Sequence, residues 1–154
     1  EFHETHNHWH MRGIALFEVR STSPTGPVVG GNSKKVTFCL IDWYKLDDNS
    51  PTTERTYFDC SGDYQGIAPG WVDQYHQATD GQQLDITGIA PGIYYLVSTA
   101  NPDGIFIEED LTNNTAWVAF ELTRESKGNP KITVLPDHSP CETPSMCGEG
   151  IPNR

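Results

Sequence analysis

The chain has 154 residues, with 21 acidic and 10 basic side chains that give it a net charge of −11. This length fits one domain with a hydrophobic core, and no apolar run is long enough to cross a membrane. The acidity argues against nucleic-acid binding and would attract a cationic substrate, although it would equally serve to keep a secreted protein soluble.

Three histidines at alternate positions, His6, His8 and His10, come first in chain order. Neutral imidazole nitrogens suit copper, zinc, iron or nickel rather than calcium or magnesium. In a flat strand the outer two Cα atoms would lie about 13 Å apart, near the limit that two imidazoles on one ion can span. We therefore predict a segment bent around a metal, with His3 as an extra ligand or a supporting group. The alternative is a histidine-rich strand that binds nothing.

Short runs of β-branched and aromatic residues, separated by turns rich in Gly and Pro, fill the rest of the chain. This pattern, without any helical period, predicts an all-β fold, an antiparallel β-sandwich with long loops. Strands are expected at residues 14–20, 35–42, 93–100, 105–107, 115–122 and 131–135, with a shorter extended run at 56–60. We assign residues 1–135 to the sandwich domain and 136–154 to an irregular tail rich in Cys and Pro.

Four cysteines in a chain rich in loops fit two disulfides and an oxidising, extracellular compartment. Of the three pairings that four cysteines allow, we favour Cys39–Cys60 and Cys141–Cys147, because the second closes a short loop that contains proline. A zinc site made of cysteines is less expected, since the sequence has no Cys-x-x-Cys.

An ordered set of motifs resembles the lysyl oxidase catalytic domain over most of the chain, up to about residue 122. The matching segments are residues 6–10, 35–42, 65–67, 69–75, 84–87, 91–96, 101–102 and 108–114. The resemblance implies a copper amine oxidase that converts peptidyl lysine or other primary amines to aldehydes, with release of ammonia and hydrogen peroxide. The small number of cysteines looks more like a microbial member than an animal one.

The same resemblance implies which residues carry the chemistry. Copper would be held by His6, His8 and His10. Lys35 and Tyr75 would be joined as lysine tyrosylquinone; Lys34 is adjacent, but the spacing to Phe38 favours Lys35. A base must remove a proton from the substrate carbon, and the candidates, next to Tyr75 in sequence, are Asp73 and His76.

A second ion site is expected in the acidic stretch that follows the Asn-Pro turn. Its oxygen ligands, which suit calcium, would come from Glu108, Asp110, Asn113 and Asn114. The family can bind calcium at this motif. The alternative is an acidic turn whose side chains cap the backbone.

The expected partner is a primary amine or a lysine-containing protein, with neither nucleic acid nor membrane, and the expected location is extracellular. Because the family domain has strands ahead of the copper motif, we also expect another segment or chain to complete the sheet. Two other functions stay open. One is a non-enzymatic extracellular Ig-like β-sandwich module that binds a partner, and the other is a structural metal protein without the quinone.

Overall fold

The computed structural model describes residues 1–46, 49–75, 83–108 and 110–141, and gives only the backbone of residues 30–35. The chain divides into two compact units. The histidine unit comprises Glu1–Arg12, Thr37–Thr79 and Pro140–Arg154, and the sheet unit comprises Gly13–Val36 and Asp80–Ser139. Regular structure in the described ranges is entirely β, which confirms the predicted class. No helix that could span a membrane is found there.

The described strands follow one another along the chain. They are β1 Phe2–His3, β2 His8–Trp9, β3 Met11–Ser21, β4 Val28–Phe38, β5 Tyr44–Lys45, β6 Trp71–Val72, β7 Gly92–Ala100, β8 Thr115–Arg124 and β9 Pro130–His138. One sheet has five strands in the order β4-β3-β7-β8-β9, and β1-β2 and β5-β6 form two-stranded sheets. The long strands therefore belong to one sheet, whereas the histidine unit has short hairpins.

The core of the sheet unit forms where alternate residues of the long strands face the same side. Leu96 of β7 pairs with Val19 of β3 and with Val118 of β8, all in antiparallel register. The buried cluster consists of Val19, Ile89, Phe120 and Leu122. Period-two alternation in a strand places every second side chain on one face, which is why the runs 93–100 and 115–122 were predictable as strands.

The strand predicted at 35–42 lies earlier than expected, since β4 ends at Phe38. Beyond it, the backbone amide of Leu40 donates to Gln65 Oε1 at 3.1 Å, and that of Ile41 donates to Asp73 Oδ2 at 3.3 Å. Side chains thus replace the neighbouring strand as acceptors. The segment leaves the sheet for this reason.

Two further predicted strands are irregular for the same reason. Asn101 Oδ1 accepts the amides of Ile105 and Phe106, so residues 105–107 form a loop around a side chain. In the extended run at 56–60, the amides of Thr56 and Tyr57 donate to Asp42 Oδ2. In both places β-propensity was overridden by a side-chain acceptor that periodicity does not reveal.

The last strand is longer than predicted, because β9 continues to His138. Pro136, which has no amide hydrogen, is tolerated since β9 is an edge strand of the five-stranded sheet. The register also shifts between Val118 and Phe120 of β8, which relaxes the pairing there. The first residues assigned to the tail are therefore part of the sheet.

Candidate metal and cofactor site

The histidine motif folds into a tight hairpin at the start of the chain. Strands β1 and β2 pair with His3 opposite His8. The amides of His6 and Asn7 both donate to the carbonyl of His3, at 3.1 and 2.8 Å. Asn7 takes a left-handed conformation (φ 55°), which Asn adopts more readily than most residues. The segment is therefore bent, as predicted from the distance that two imidazoles on one ion can span. Backbone hydrogen bonds hold the bend.

This bend brings four imidazole rings together. Ring centroids lie 4.2 Å apart for His3 and His6, and 4.8 Å apart for His8 and His10. The Nε2 atoms of His8 and His10 are separated by 2.8 Å. Two nitrogens bound at a right angle to one ion, each about 2.0–2.1 Å from it, would lie about 2.9 Å apart. The spacing of the two rings thus fits two ligands of one metal.

Unpaired nitrogens give a second sign that the cluster fits a metal. The ligand atoms of His3, His6 and His10 all lie within 4.8 Å of one another. Among the described residues, Nδ1 of His3 and Nδ1 of His10 are buried without a hydrogen-bond partner. A buried polar atom left unpaired costs about 1–3 kcal/mol. A metal bound through Nδ1 would satisfy this atom of His3, whereas His10 can offer one ion only one of its two ring nitrogens.

The charge state of the cluster also suits a metal. Burial lowers the pKa of His8 and of His10, and the neighbouring imidazoles lower both further. Neutral imidazole is the form that binds a metal. His8 and His10 therefore favour the form that binds a cation at neutral pH.

The hairpin is attached to the rest of the histidine unit through the segment around Cys60. The amide of Trp9 donates to the Cys60 carbonyl at 3.1 Å, and the Trp9 carbonyl accepts from Gln65 Nε2 at 3.1 Å. The Trp9 ring lies so close to Gly62 that a Cβ there would be 2.8 Å from it. Glycine at position 62 is thus required by close packing.

The predicted disulfide Cys39–Cys60 is confirmed. Cys141 is also disulfide-bonded, and its predicted partner Cys147 lies outside the described residues. The bond joins the segment after β4 to Cys60, whose carbonyl accepts the Trp9 amide of the hairpin. That segment contacts Tyr75.

Tyr75 is fixed by a ring and by a carbonyl on neighbouring residues. Its hydroxyl donates to the Cys39 carbonyl. Its ring stacks on Phe38, with centroids 4.0 Å apart and planes 17° from parallel. The Phe38 ring also lies 6.4 Å from the His10 ring, within the usual range for an aromatic pair. Phe38 therefore lies against both Tyr75 and the histidine cluster.

Asp73 carries a perturbed carboxyl group beside Tyr75. Burial raises its pKa to about 6 and the nearby Asp42 adds to this, while the hydrogen bond from the Ile41 amide and the proximity of the Tyr75 hydroxyl oppose the shift. Burial also raises the pKa of Tyr75, and the Asp73 charge raises it further. A carboxyl group that titrates near neutrality beside a phenol is suited to proton transfer.

Comparison with known proteins adds to this geometry. The lysyl oxidase family model matches residues 1–129. The chain belongs to the lysyl oxidase family. It is 32% identical over 137 residues to protein-lysine 6-oxidase of Sus scrofa, covering 88% of this chain and 52% of the relative. The human protein of that name is also 32% identical, over 88% of this chain and 31% of its own length. Human lysyl oxidase homolog 3 is 36% identical over 113 residues, 73% of this chain and 14% of that one.

The chain thus spans about half, or less, of the length of these relatives. Two predicted site residues, one taken from the family resemblance and one from its position next to Tyr75, are not tested by the structure. Lys35 lies in β4 and is described by its backbone only, as is Lys34. His76 lies outside the described residues. The Lys35–Tyr75 pair and a role for His76 stay predictions.

The stretch expected to bind calcium forms an internally bonded turn. Glu108 Oε1 accepts the amide groups of Asn101 and Asn114. Asp110 Oδ1 accepts from the amide and hydroxyl of Thr112 at 2.7 and 2.6 Å, and these bonds lower the pKa of Asp110. Asn113 is exposed. The capped turn expected as the alternative is present, and calcium binding stays a prediction.

Sequence reasoning missed two residues that build the site. Asp42 is fully buried, and its carboxylate accepts three backbone amides, from Thr56, Tyr57 and Ala68. Phe38 is predicted as a strand residue and as a marker of the family motif, but not as a contact of Tyr75. A signal existed for Asp42, since a carboxylate directly after the apolar pair 40–41 must find donors if that run is buried.

Proposed function

We propose that this chain is the copper-binding part of an amine oxidase that converts peptidyl lysine or another primary amine to an aldehyde, with release of ammonia and hydrogen peroxide. Family membership supports the reaction class. The observation that carries the proposal is the contact of Phe38 with both the Tyr75 ring and the His10 imidazole. Through this contact a redox-metal site and the tyrosine proposed as cofactor precursor share one unit.

The proposed copper ligands are His6, His8 and His10, whose rings are gathered by the hairpin. Copper supplies a redox-active centre that works with O₂, and lysine tyrosylquinone, made from Lys35 and Tyr75, supplies an electrophilic carbonyl for a primary amine. The protein's part is to hold these groups in place. The Cys39 carbonyl and the Phe38 ring hold the tyrosine side chain in place.

Asp73 is the proposed base that accepts the proton from the substrate carbon, and His76 is the other candidate. The Asp73 pKa of about 6 places it near the pH at which a general base works best. The acidic surface of the chain would favour the approach of a cationic amine. The names of the relatives, protein-lysine 6-oxidase, favour lysine side chains as substrates.

Two further parts of the proposal concern the location of the protein and a second ion. An extracellular location is supported by the Cys39–Cys60 disulfide, because such bonds persist in oxidising compartments. Calcium binding by the turn around Glu108 and Asp110 is supported by the oxygen ligands that its side chains offer. Calcium would have to compete with the hydrogen bonds that Asn114 and Thr112 already make there.

Peptide mass mapping of the reduced, copper-loaded protein tests the cofactor directly. We expect one species that contains both the Lys35 and the Tyr75 peptides at the oxidised mass. Lys35→Arg and Tyr75→Phe should abolish it, whereas the neighbouring Lys34→Arg should keep it. Peroxide release with a primary amine should follow the same pattern.

Separate, unmodified peptides from copper-loaded protein would contradict the enzyme proposal. Copper content then distinguishes the remaining functions. A protein that binds copper tightly but forms no cross-link would be a structural metal protein. A protein that does neither would be a binding module of the Ig-like class.

A further inference from the structure

We propose that Gln65 is a positioning residue for formation of the cofactor, because its side-chain amide holds the histidine hairpin against the segment that fixes Tyr75. This inference deepens the function proposed above and rests on it. In the sequence, Gln65 is only one member of the short motif at residues 65–67. In the structure, its side chain connects its own loop to two segments that lie far away along the chain.

The side-chain amide of Gln65 uses its oxygen and both of its N–H donors. Its Oε1 accepts the backbone amide of Leu40 at 3.1 Å. Its Nε2 donates to the carbonyl of Trp9 at 3.1 Å and to the carbonyl of Ser61 at 2.6 Å. A primary amide has two N–H donors, so both are engaged here. A reversed amide would set its oxygen against two carbonyls, and the side chain therefore has one favourable orientation.

One end of this amide holds the segment that fixes the tyrosine. Leu40 directly follows Cys39, whose carbonyl accepts the Tyr75 hydroxyl. The carbonyl of Leu40 also accepts the backbone amide of Gly66 at 3.3 Å. The loop of Gln65 thus binds both the N–H and the carbonyl of the residue beside the anchor of the tyrosine.

The other end of the amide holds the hairpin. Its acceptor there is the carbonyl of Trp9, which lies between His8 and His10 in the chain. A shift of the Trp9 backbone would move both neighbouring imidazoles. Gln65 is therefore placed to set the position of two proposed copper ligands relative to the tyrosine.

Other links between the hairpin and this segment do not depend on Gln65. The disulfide joins Cys39 to Cys60, and the Cys60 carbonyl accepts the Trp9 amide. These links stay when Gln65 loses its donors, so we expect the chain to fold and to bind copper without them. A disulfide acts through rotatable side-chain bonds, whereas hydrogen bonds from a planar amide are directional. What Gln65 adds is the alignment of the two segments.

Gln65→Glu tests this role with little change in side-chain size. The carboxylate keeps an acceptor for the Leu40 amide but has no N–H for the carbonyls of Trp9 and Ser61. Asn129→Asp is the matched control, because it makes the same change from amide to carboxylate at an exposed position of the sheet unit. Both substitutions add one negative charge to the chain.

Three measurements separate positioning from a general loss of structure. Formation of the link joins the Lys35 amine to the Tyr75 ring, which also gains an oxygen atom, and it reduces two O₂ to one water and one hydrogen peroxide. We expect the yield of linked peptide after a fixed time in O₂ to fall about tenfold or more in Gln65→Glu, as for misplaced reacting groups. Copper content and the circular dichroism spectrum should match those of Asn129→Asp. In copper-free protein, hydrogen exchange of residues 4–10 should be faster in Gln65→Glu.

Gln65→Met, which introduces no charge, replaces Gln65→Glu if the carboxylate prevents folding, and we expect the same result from it. An unchanged yield at equal copper content, or equal hydrogen exchange in variant and control, would overturn the positioning role and leave the proposed amine oxidase intact. A yield that falls only in proportion to copper content or to the folded fraction would also overturn it, because Gln65 would then serve stability alone. If the unsubstituted chain forms no link, the proposed function itself fails together with this inference.

Discussion

The two units of this chain are stabilised in different ways. In the sheet unit, strands of nine to eleven residues pair in register around the apolar cluster of Val19, Phe120 and Leu122. In the histidine unit, the hairpin strands β1, β2, β5 and β6 have only two residues each. Its backbone is instead held by a buried carboxylate, an amide side chain and a disulfide.

This difference explains where the candidate chemistry lies. In a regular sheet, neighbouring strands use most backbone carbonyls, whereas irregular backbone leaves some of them for side chains. The Cys39 carbonyl, just beyond β4, is one of these, and it accepts the Tyr75 hydroxyl. The Cys60 carbonyl likewise anchors Trp9 of the histidine hairpin. Backbone carbonyls of the histidine unit can therefore hold functional side chains. In a regular sheet the same carbonyls would accept hydrogen bonds from a neighbouring strand.

Removal of the Asp42 carboxylate, which supports the histidine unit, should cause the largest loss in the free energy of unfolding. Asp42→Ala leaves three backbone amides without their acceptor, two of them on adjacent residues of one loop. Each lost bond to a charged group costs about 1.5–3 kcal/mol, partly recovered through water, so we expect a loss of about 4 kcal/mol in the free energy of unfolding by urea. The control is Asp63→Ala, an exposed acid in the same unit, expected to change it by about 0.5 kcal/mol or less. Equal effects of the two substitutions would show that Asp42 does not organise these loops.

A cavity in the sheet unit should be nearly as costly but should act through packing. Leu122 is 1% exposed within the apolar cluster. Leu122→Ala should lower the free energy of unfolding by about 3 kcal/mol, through lost transfer energy and the cavity that remains. Ile107→Ala, which removes the same kind of side chain from a fully exposed position, should cost about 0.5 kcal/mol or less. Thermal unfolding followed by circular dichroism measures both, and a small loss for Leu122→Ala would mean that the core repacks.

The same contrast accounts for what the sequence could predict. Alternation and β-branched residues identified β3, β7, β8 and β9, since packing of one face is what those strands need. The predicted end of the second strand was wrong, because Gln65 and Asp73 accept the amides of residues 40 and 41 from positions far along the chain. Hydrogen-bond acceptors that lie so far along the chain do not change the periodic pattern of the sequence from which strands are predicted.

The site was predictable to a similar extent. The limited distance that two imidazoles on one ion can span predicted the bend at His6–His10. The short loop that Cys141–Cys147 would close favoured one of the three possible cysteine pairings. Family motifs singled out Tyr75, and Asp73 was a candidate because it lies two residues before Tyr75 in the sequence. The contact of Phe38 with Tyr75 and His10 was not predictable, because it depends on how a strand end meets two loops. The partner relation of His3 and His8 likewise depends on a register that only the turn at Asn7 fixes.

Replacement of Phe38 tests whether its ring contributes only to the stability of the fold or also to formation of the cofactor. Phe38→Leu keeps an apolar side chain but removes the stacking on Tyr75, worth about 0.5–1.5 kcal/mol beyond burial. We expect a loss of about 1–1.5 kcal/mol in the free energy of unfolding, together with a lower yield of the Lys35–Tyr75 linked peptide at equal copper content. Phe58→Leu, at an exposed phenylalanine of the same unit, should change neither. An unchanged peptide yield in Phe38→Leu would reduce Phe38 to a packing residue.

The smallest expected effect concerns Asp73 and depends on pH. Because its pKa is raised from 3.8 to about 6, the folded chain keeps a proton there that the unfolded chain loses. The resulting stabilisation is complete below about pH 3.8 and is lost as the pH rises through about 6. Solvent screening of this partly buried group limits it to roughly 1 kcal/mol. Asp73→Asn is neutral at every pH, so its stability relative to the unsubstituted chain should rise by that amount between pH 4 and pH 8 in urea unfolding. A difference that does not change with pH would show that Asp73 titrates as an ordinary exposed carboxylate, and would remove the reason to regard it as the base.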